Sequence, residues 1–250
     1  MASVTQDIPR IDQNLVEQLD AKEDAYELID ELLNLFGDRA AIGTSGQLTG
    51  CVLIDLAARR GHPFRVFVID TLRLHPETYE FWDRLEEHYS IKLERFKPDE
   101  EKLERMLNQH GEFLFFDSKF KQEHCCNVRK VEPNQRAMQS LDVWITGLRR
   151  DQSAERGDTP RVTIGQEGVR DILKVCPLVD WDEERVRKYI SEHDVPYNPM
   201  FDVSLHGAHY KSLGCIICTT PVMPHEPPRA GRWRWFNAVE EGKKECGLHI

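Results

Sequence analysis

Seven cysteines are distributed unevenly along 250 residues. Cys125 and Cys126 are adjacent, and Cys215 and Cys218 form a Cys-x-x-Cys. Cys246 stands in Glu245-Cys246-Gly247-Leu248-His249-Ile250, and Cys51 and Cys176 stand alone. An odd count at such spacings points to metal binding plus nucleophilic chemistry rather than to a disulfide framework. The thiolate is both nucleophile and metal ligand, and neighbouring cations favour it. Cys246 follows Lys243 and Lys244 and precedes His249, which suits a nucleophile able to visit a buried substrate and then a partner. Read alone, the same stretch fits a solvated thiol on a frayed end better.

Cys125, Cys126, Cys215 and Cys218 supply four thiolates in two close groups, the donor set of tetrahedral zinc or of an iron–sulfur cluster. Neighbouring Cα atoms lie about 3.8 Å apart, and two successive side chains do not readily point at one small ion. A cubane is wider and offers a separate iron to each thiolate. The spacing therefore favours a 4Fe–4S cluster, with zinc and free buried thiols as alternatives. Cys51 and Cys176 lie in apolar stretches and read as buried, inert hydrophobes.

Cations cluster near these motifs. Lys130 follows the cysteine pair, Arg149, Arg150 and Arg156 share one loop, and Arg229, Arg232 and Arg234 flank Trp233 and Trp235. Arginine forks match phosphate and sulfate oxygens. The formal net charge of −10 argues against broad nucleic-acid binding but allows a local anion pocket. For any one arginine, a solvated rim or stacking on tryptophan is the competing reading.

These groups need a scaffold. Residues 1–14 read as a loose polar arm. Apolar residues recur at helical spacing from Leu15 to Phe36 and stop at Gly37, predicting one or two amphipathic helices. Ala40-Ala41-Ile42 leads through Gly43-Thr44-Ser45-Gly46 into an apolar helical run over 51–57. Strand, small-residue turn and helix together can cradle phosphate, which makes Ser45 a candidate contact; an ordinary β–α connection fits the stretch equally well. Residues 65–70 read as a strand whose carboxyl end places Asp70 at a ligand crevice, with a cap on the next turn as its alternative role, and 76–89 as a helix. A third strand is expected at 92–96, a helix at 99–110, a helix running through Leu141, a fourth strand at 143–146 and a last strand at 172–178. A helix over 182–193 is capped by Asp180 or Asp182.

This alternation predicts an α/β fold, a parallel twisted sheet with helices on both faces. Three segments follow: an N-terminal helical segment 1–38, an α/β domain 39–195, and a loop-rich region 196–250 held by something other than a core. No run approaches the roughly 18 apolar residues that span a bilayer, so no membrane partner is expected. The first residues lack signal-peptide features, and a cytoplasmic location is the expectation.

Taken together, these residues resemble the assimilatory adenylylsulfate (APS) reductases, the iron–sulfur branch of the phosphoadenylylsulfate reductase family. The resemblance rests on Ile69-Asp70-Thr71 with Arg73-Leu74-His75-Pro76-Glu77-Thr78-Tyr79, on Cys125-Cys126 with Arg129-Lys130, and on Thr146-Gly147-Leu148-Arg149-Arg150-Asp151-Gln152-Ser153. It continues through Pro196-Tyr197-Asn198, Gly214-Cys215-Ile216-Ile217-Cys218-Thr219, Arg229-Ala230-Gly231-Arg232-Trp233 and Lys244-Glu245-Cys246-Gly247-Leu248-His249.

The resemblance implies an adenine nucleotide alpha hydrolase-like fold and thioredoxin-dependent reduction of APS to sulfite and AMP, in sulfate assimilation and cysteine biosynthesis. Cys246 would form a thiosulfonate, and Cys125, Cys126, Cys215 and Cys218 would hold a 4Fe–4S cluster. Lys130, Arg156, Arg229, Arg232, Ser45, Asp70 and His249 would bind the substrate. A homo-oligomer is expected, with no nucleic-acid partner. The alternatives are an enzyme acting on the 3′-phosphorylated nucleotide (PAPS), alone or beside APS, and a zinc-stabilised nucleotide-binding module. The chain departs from the family pattern at Thr49 and Gly50, where relatives carry an acidic pair. It departs also at Leu72, where a glycine is common, and at Thr220, where an arginine is common.

Overall fold

Two helices open the described chain, which comprises residues 8–167 and 170–236 of a computed structural model. They are α1 (Gln13–Asp20) and α2 (Ala25–Phe36), started by Asp12 and Asp24, whose carboxylates accept from the amides of Leu15 and Glu27 at 3.1 and 3.0 Å. Gly37, at φ +50°, ends α2. Leu28, Ile29 and Leu32 are fully buried, so the helical spacing in the sequence marks a core-facing stripe.

The chain continues as β1 (Ala40–Thr44), α3 (Leu48–Ala58), β2 (Arg65–Ile69), α4 (Pro76–Tyr89), β3 (Leu93–Phe96) and α5 (Glu100–His110). Then come α6 (Lys119–Cys126), α7 (Glu132–Met138), β4 (Val143–Thr146), β5 (Val162–Glu167), β6 (Arg170–Val175) and α8 (Glu183–Glu192). A small ribbon of β7 (Ser204–Leu205) and β8 (Ala208–His209) follows. Asp182 caps α8 by accepting from the Arg185 amide at 2.7 Å, whereas Asp180 pairs with Arg150 and Arg161.

The six longer strands form one sheet in the order β3-β2-β1-β4-β6-β5. All neighbours are parallel except β5, which is antiparallel to β6. The expected parallel sheet is present, with one difference at the edge, where a single last strand at 172–178 was expected. The chain makes an edge hairpin there, and β6 stops at Val175, two residues before Pro177, whose nitrogen has no proton for a ladder.

Successive side chains of a strand point to opposite faces. Ile42, Val66, Val68, Val143, Ile145, Leu173 and Val175 join the residues of α1, α2, α3, α4 and α8 in the large core. Their alternates Ala41, Phe67, Trp144 and Ile172 pack against Ala137 and Met138 of α7. Helices therefore cover both faces. The large core also takes in Met200, Phe201, Tyr210 and Leu213, so the chain just beyond 196 is held by apolar packing, contrary to expectation. No helix among the described residues is long and apolar enough to cross a membrane.

Candidate active site

Strand order reverses at β1, which has β2 on one side and β4 on the other. In open α/β sheets, ligands lie beyond the carboxyl ends of the strands at such a point. A cavity of about 290 Å³ opens there, lined by Thr44 and Ser45 after β1, Ile69 and Thr71 at the end of β2, and Thr146 and Gly147 at the end of β4. Missing side chains make the room. A Cβ on Gly43 would fall 2.5 Å from the Phe67 ring and against the Trp144 indole, and one on Gly50 would collide with the Thr44 hydroxyl. That hydroxyl accepts the Gly46 amide at 3.1 Å, and Gly46 sits at φ +76°, which fixes the turn into α3.

Seven lining residues are cationic, against two carboxylates, Asp151 and Glu183. In a chain of net charge −10, that concentration selects an anionic ligand. Lys130, Arg156, Arg229 and Arg232 are among the seven. Arg156 donates to the Gln152 side-chain oxygen, and Arg232 stacks over the Trp233 ring, 4.5 Å from its centroid. Buried Arg149 also lines the cavity, forked onto Asp151 at 2.9 and 3.0 Å and donating to the Thr49 hydroxyl at 2.6 Å. Arg150 turns away, towards Asp180 and the Thr159 carbonyl.

The sequence reading missed Arg187 and Lys211, whose positions carry no motif; packing of α8 and the chain before Cys215 brings them to the cavity. They share Glu183, at 2.8 and 3.1 Å. Burial pushes that carboxyl up, but the two cations outweigh it and hold Glu183 below its ordinary range. Phe67, Ile69 and Trp144 supply an apolar part of the lining.

Asp70 is not among the lining residues. It is buried, and one carboxylate oxygen accepts from the Leu72 amide at 2.9 Å and the Tyr79 hydroxyl at 2.8 Å, so it shapes the turn instead of reaching into the cavity. Leu72 lies at φ +57°, a left-handed conformation that costs an L-residue about 1–2 kcal/mol. A glycine there would be free of it. Thr220 is engaged by Arg234 and Gly231.

Beside this cavity lies a smaller one. The helix expected after Lys130 is α7, which stops at Met138, short of Leu141, and a wide π turn over Asn127–Val131 separates it from α6. Pro133 has no amide proton and its ring crowds the carbonyl four residues back, that of Arg129. One i→i+5 turn, with the Glu132 amide on the Asn127 carbonyl, accommodates it. Cys125 and Cys126 end α6, just before this turn. The loop carrying Cys215 and Cys218 docks opposite, its Ile216 amide donating to the Arg73 carbonyl at 2.8 Å. All four cysteines line the small cavity with Arg73, Arg129 and Lys130. Among these residues Lys130 also lines the large cavity.

The sulfurs are individually held. The Gln122 amide donates to Cys126 Sγ at 3.1 Å, and Cys215 Sγ lies 3.2 Å from the Thr71 hydroxyl. A hydrogen bond with Cys218 draws the Cys215 thiol well below its ordinary range; burial opposes this, and Lys130, Thr71 and Arg232 assist. Cys218 is pushed up by the same bond and by burial, and burial raises Cys125. Arg129 is buried at 4% exposure. Its Nη1 donates to the Thr71 carbonyl at 2.8 Å, its Nε has no hydrogen-bond partner among the described residues, and Cys125 and Cys215 face it.

A buried guanidinium requires compensating negative charge, so this donor set fits a group that keeps the four sulfurs as thiolates. No three or more His, Cys, Asp or Glu side chains among the described residues are arranged to hold one metal ion. Cys246 and His249 lie outside the described residues. Cys51 and Cys176 are buried, their thiols pushed up by burial to about 12 and about 11.

Residues 39–221 match the family described as the phosphoadenosine phosphosulfate reductase domain. The chain is 37% identical over 259 residues to 5′-adenylylsulfate reductase 1, chloroplastic, of Arabidopsis thaliana, covering 100% of this chain and 53% of that protein. It is 37% identical over 239 residues to adenosine 5′-phosphosulfate reductase of Burkholderia cepacia, covering 94% of this chain and 90% of that one. The chain thus spans about half the length of the chloroplastic relatives.

Among solved structures, the phosphoadenylyl-sulfate (PAPS) reductase of Candida auris in a phosphate complex superposes with a TM-score of 0.69. It is 27% identical and covers 85% of this chain and 99% of that one. The sheet order, the placing of the cavity and this likeness establish the adenine nucleotide alpha hydrolase-like fold. On the match over 39–221 and the extent of these similarities, the chain belongs to the phosphoadenosine phosphosulfate reductase domain family.

Proposed function

We propose that this chain reduces APS to sulfite and AMP, with thioredoxin as the reductant, in sulfate assimilation. The observation that carries the reading is the seam at Lys130, where a cation-lined cavity at the strand ends meets four cysteines, two of them buried and two half-buried. The similarity to the adenosine 5′-phosphosulfate reductase of Burkholderia cepacia supports it. Phe67, Ile69 and Trp144 offer an apolar seat to the adenine. Lys130, Arg156, Arg229 and Arg232 neutralise the phosphate and sulfate oxygens, which a thiolate could not otherwise approach.

Cys246 supplies that thiolate. Its sulfur bonds to the sulfate sulfur as the bond to the bridging phosphate oxygen breaks, and AMP leaves with the electron pair. A thioredoxin thiolate then attacks Cys246 Sγ, sulfite leaves, and the second thioredoxin thiol resolves the mixed disulfide. Cys125, Cys126, Cys215 and Cys218 would hold a 4Fe–4S cluster, which when bound lends its charge distribution to the sulfate end of the site. The reading keeps a cytoplasmic, homo-oligomeric enzyme as its expectation.

A second substrate is favoured by one observation, the excess of cations in the cavity. PAPS carries one more phosphate than APS, and the Candida auris neighbour is a PAPS reductase.

The test is sulfite release from APS and from PAPS with thioredoxin, run beside iron and acid-labile sulfide analysis. Sulfite from APS and about four irons per chain are expected. Cys246→Ser should abolish release while AMP affinity stays within about twofold, because that sulfur makes its bond only in the reaction. A colourless protein holding one zinc and releasing no sulfite would overturn the reading.

A further inference from the structure

We propose that Arg129 is a positioning residue that ties the shape of the nucleotide cavity to the state of the four-cysteine cavity. The inference rests on the functional reading in taking those cysteines as a ligand set and the large cavity as a nucleotide site. The turn over residues 70–73 is the shared wall. Thr71 lines the large cavity, and its hydroxyl lies 3.2 Å from Cys215 Sγ. Arg73, two residues on, lines the small cavity and accepts the Ile216 amide on its carbonyl. Between them stands Leu72 at φ +57°, a conformation held against its own preference.

Two groups hold it. The Asp70 carboxylate accepts the Leu72 amide at 2.9 Å, and Arg129 donates to the Thr71 carbonyl at 2.8 Å. The Arg129 Nε has no hydrogen-bond partner among the described residues; Cys125 and Cys215 face the guanidinium, and Arg73 repels it. Arg73 is itself engaged elsewhere, by Glu112 at 3.3 Å and over the Phe115 ring at 5.1 Å. One fork therefore grips the backbone of a nucleotide-cavity residue on one side and balances two sulfurs on the other. When the sulfurs are held as thiolates the guanidinium is paid in charge and stays on Thr71. When they are not, the buried cation loses its reason to remain, and the turn loses a support. Binding at one cavity must then favour binding at the other by the same factor.

The deciding variant is Arg129→Lys, which keeps the charge but cannot reach the carbonyl and the sulfurs with one planar fork. Full-length protein as purified is used. AMP affinity is measured by calorimetry, and iron release to a chelator is followed with and without saturating AMP. In the wild type AMP slows iron release several-fold. Arg129→Lys retains iron, loses that protection and binds AMP about tenfold more weakly, the size of one lost charged hydrogen bond. Adding Leu72→Gly restores AMP affinity, because glycine keeps the turn without strain. Arg129→Met purifies with little iron.

Wild-type AMP affinity and full AMP protection in Arg129→Lys would overturn the proposal, as would failure of Leu72→Gly to restore binding. Wild-type controls separate the two ideas. A wild type without iron or without AMP affinity counts against the functional reading and takes the coupling with it, whereas wild-type behaviour in the variant counts against the coupling alone.

Discussion

Gly50→Ala sets a general rule against a local contact. Gly50 lies in the first turn of α3, where replacing glycine by alanine ordinarily gains up to about 1 kcal/mol of helix stability. Here the new Cβ would fall 3.0 Å from the Thr44 Cβ and collide with its hydroxyl. Thr44 can escape only by rotating, and its hydroxyl then gives up the Gly46 amide, now 3.1 Å away. That loss costs about 1 kcal/mol, and residual overpacking costs about 1–3 kcal/mol. Clash outweighs propensity, leaving a net destabilisation of about 1–3 kcal/mol. Because the Thr44–Gly46 turn lines the cavity, AMP affinity should fall about tenfold as well.

Urea unfolding and AMP calorimetry read the two effects separately. Thr44→Ala in the same chain removes the colliding atom, so the double variant should recover most of the lost stability, a coupling that a mutant cycle isolates. A Gly50→Ala protein more stable than wild type, with unchanged AMP binding, would refute this account of the turn.

Three further outcomes are expected. Lys130→Ala should weaken APS turnover by at least tenfold with the fold intact, since a charged hydrogen bond contributes about 1.5–3 kcal/mol; unchanged kinetics would remove Lys130 from the site. Tyr189→Phe deletes the 2.7 Å bond to Asp55, a buried carboxylate that also accepts from Tyr89 and Arg59, and should cost about 1–2 kcal/mol in urea unfolding.

Hydrogen bonds from Arg234 hold the Glu226 carboxyl down to about 2. Because its folded pKa lies below the unfolded one, its contribution is complete above about 4.5 and disappears as pH falls towards 2. Glu226→Gln should therefore lower stability at neutral pH and converge with wild type only as the pH approaches 2.

Local signals carried the sequence reading far. Asp182 as a cap, Gly37 as a stop and 76–89 as a helix need only neighbouring residues to be seen, and the structure agrees with each. Strand β5 was missed because Thr163, Gly165 and Gln166 dilute its apolar alternation at a sheet edge, where one side needs no partner. The π turn was legible only in hindsight, from Pro133 set one turn beyond Lys130.

Residue type named the four cysteines and much of the cation set. It could not tell Arg150, committed to Asp180, from Arg156, which lines the cavity. Nor could it find Arg187 or Lys211, which reach the site only through the packing of α8 and the chain around Tyr210. Asp70 looked like a ligand contact because it ends a strand; one of its carboxylate oxygens is occupied in building the turn.

The two cysteine pairs also carry a consequence for how the molecule is made. Cys125 and Cys126 leave a ribosome well before Cys215 and Cys218, and between them the chain must lay down β4, the edge hairpin and α8. The small cavity is therefore one of the last places to be completed during synthesis. Any group that grips both pairs closes that long loop as a cross-link, removing chain entropy from the unfolded state on the order of 4 kcal/mol by the loop-closure relation for a disulfide. Loading at this site would act as a late clasp on the whole sheet, so, on the proposed cluster reading, chains made without iron should accumulate with the carboxyl-terminal part more open to proteases than the amino-terminal half.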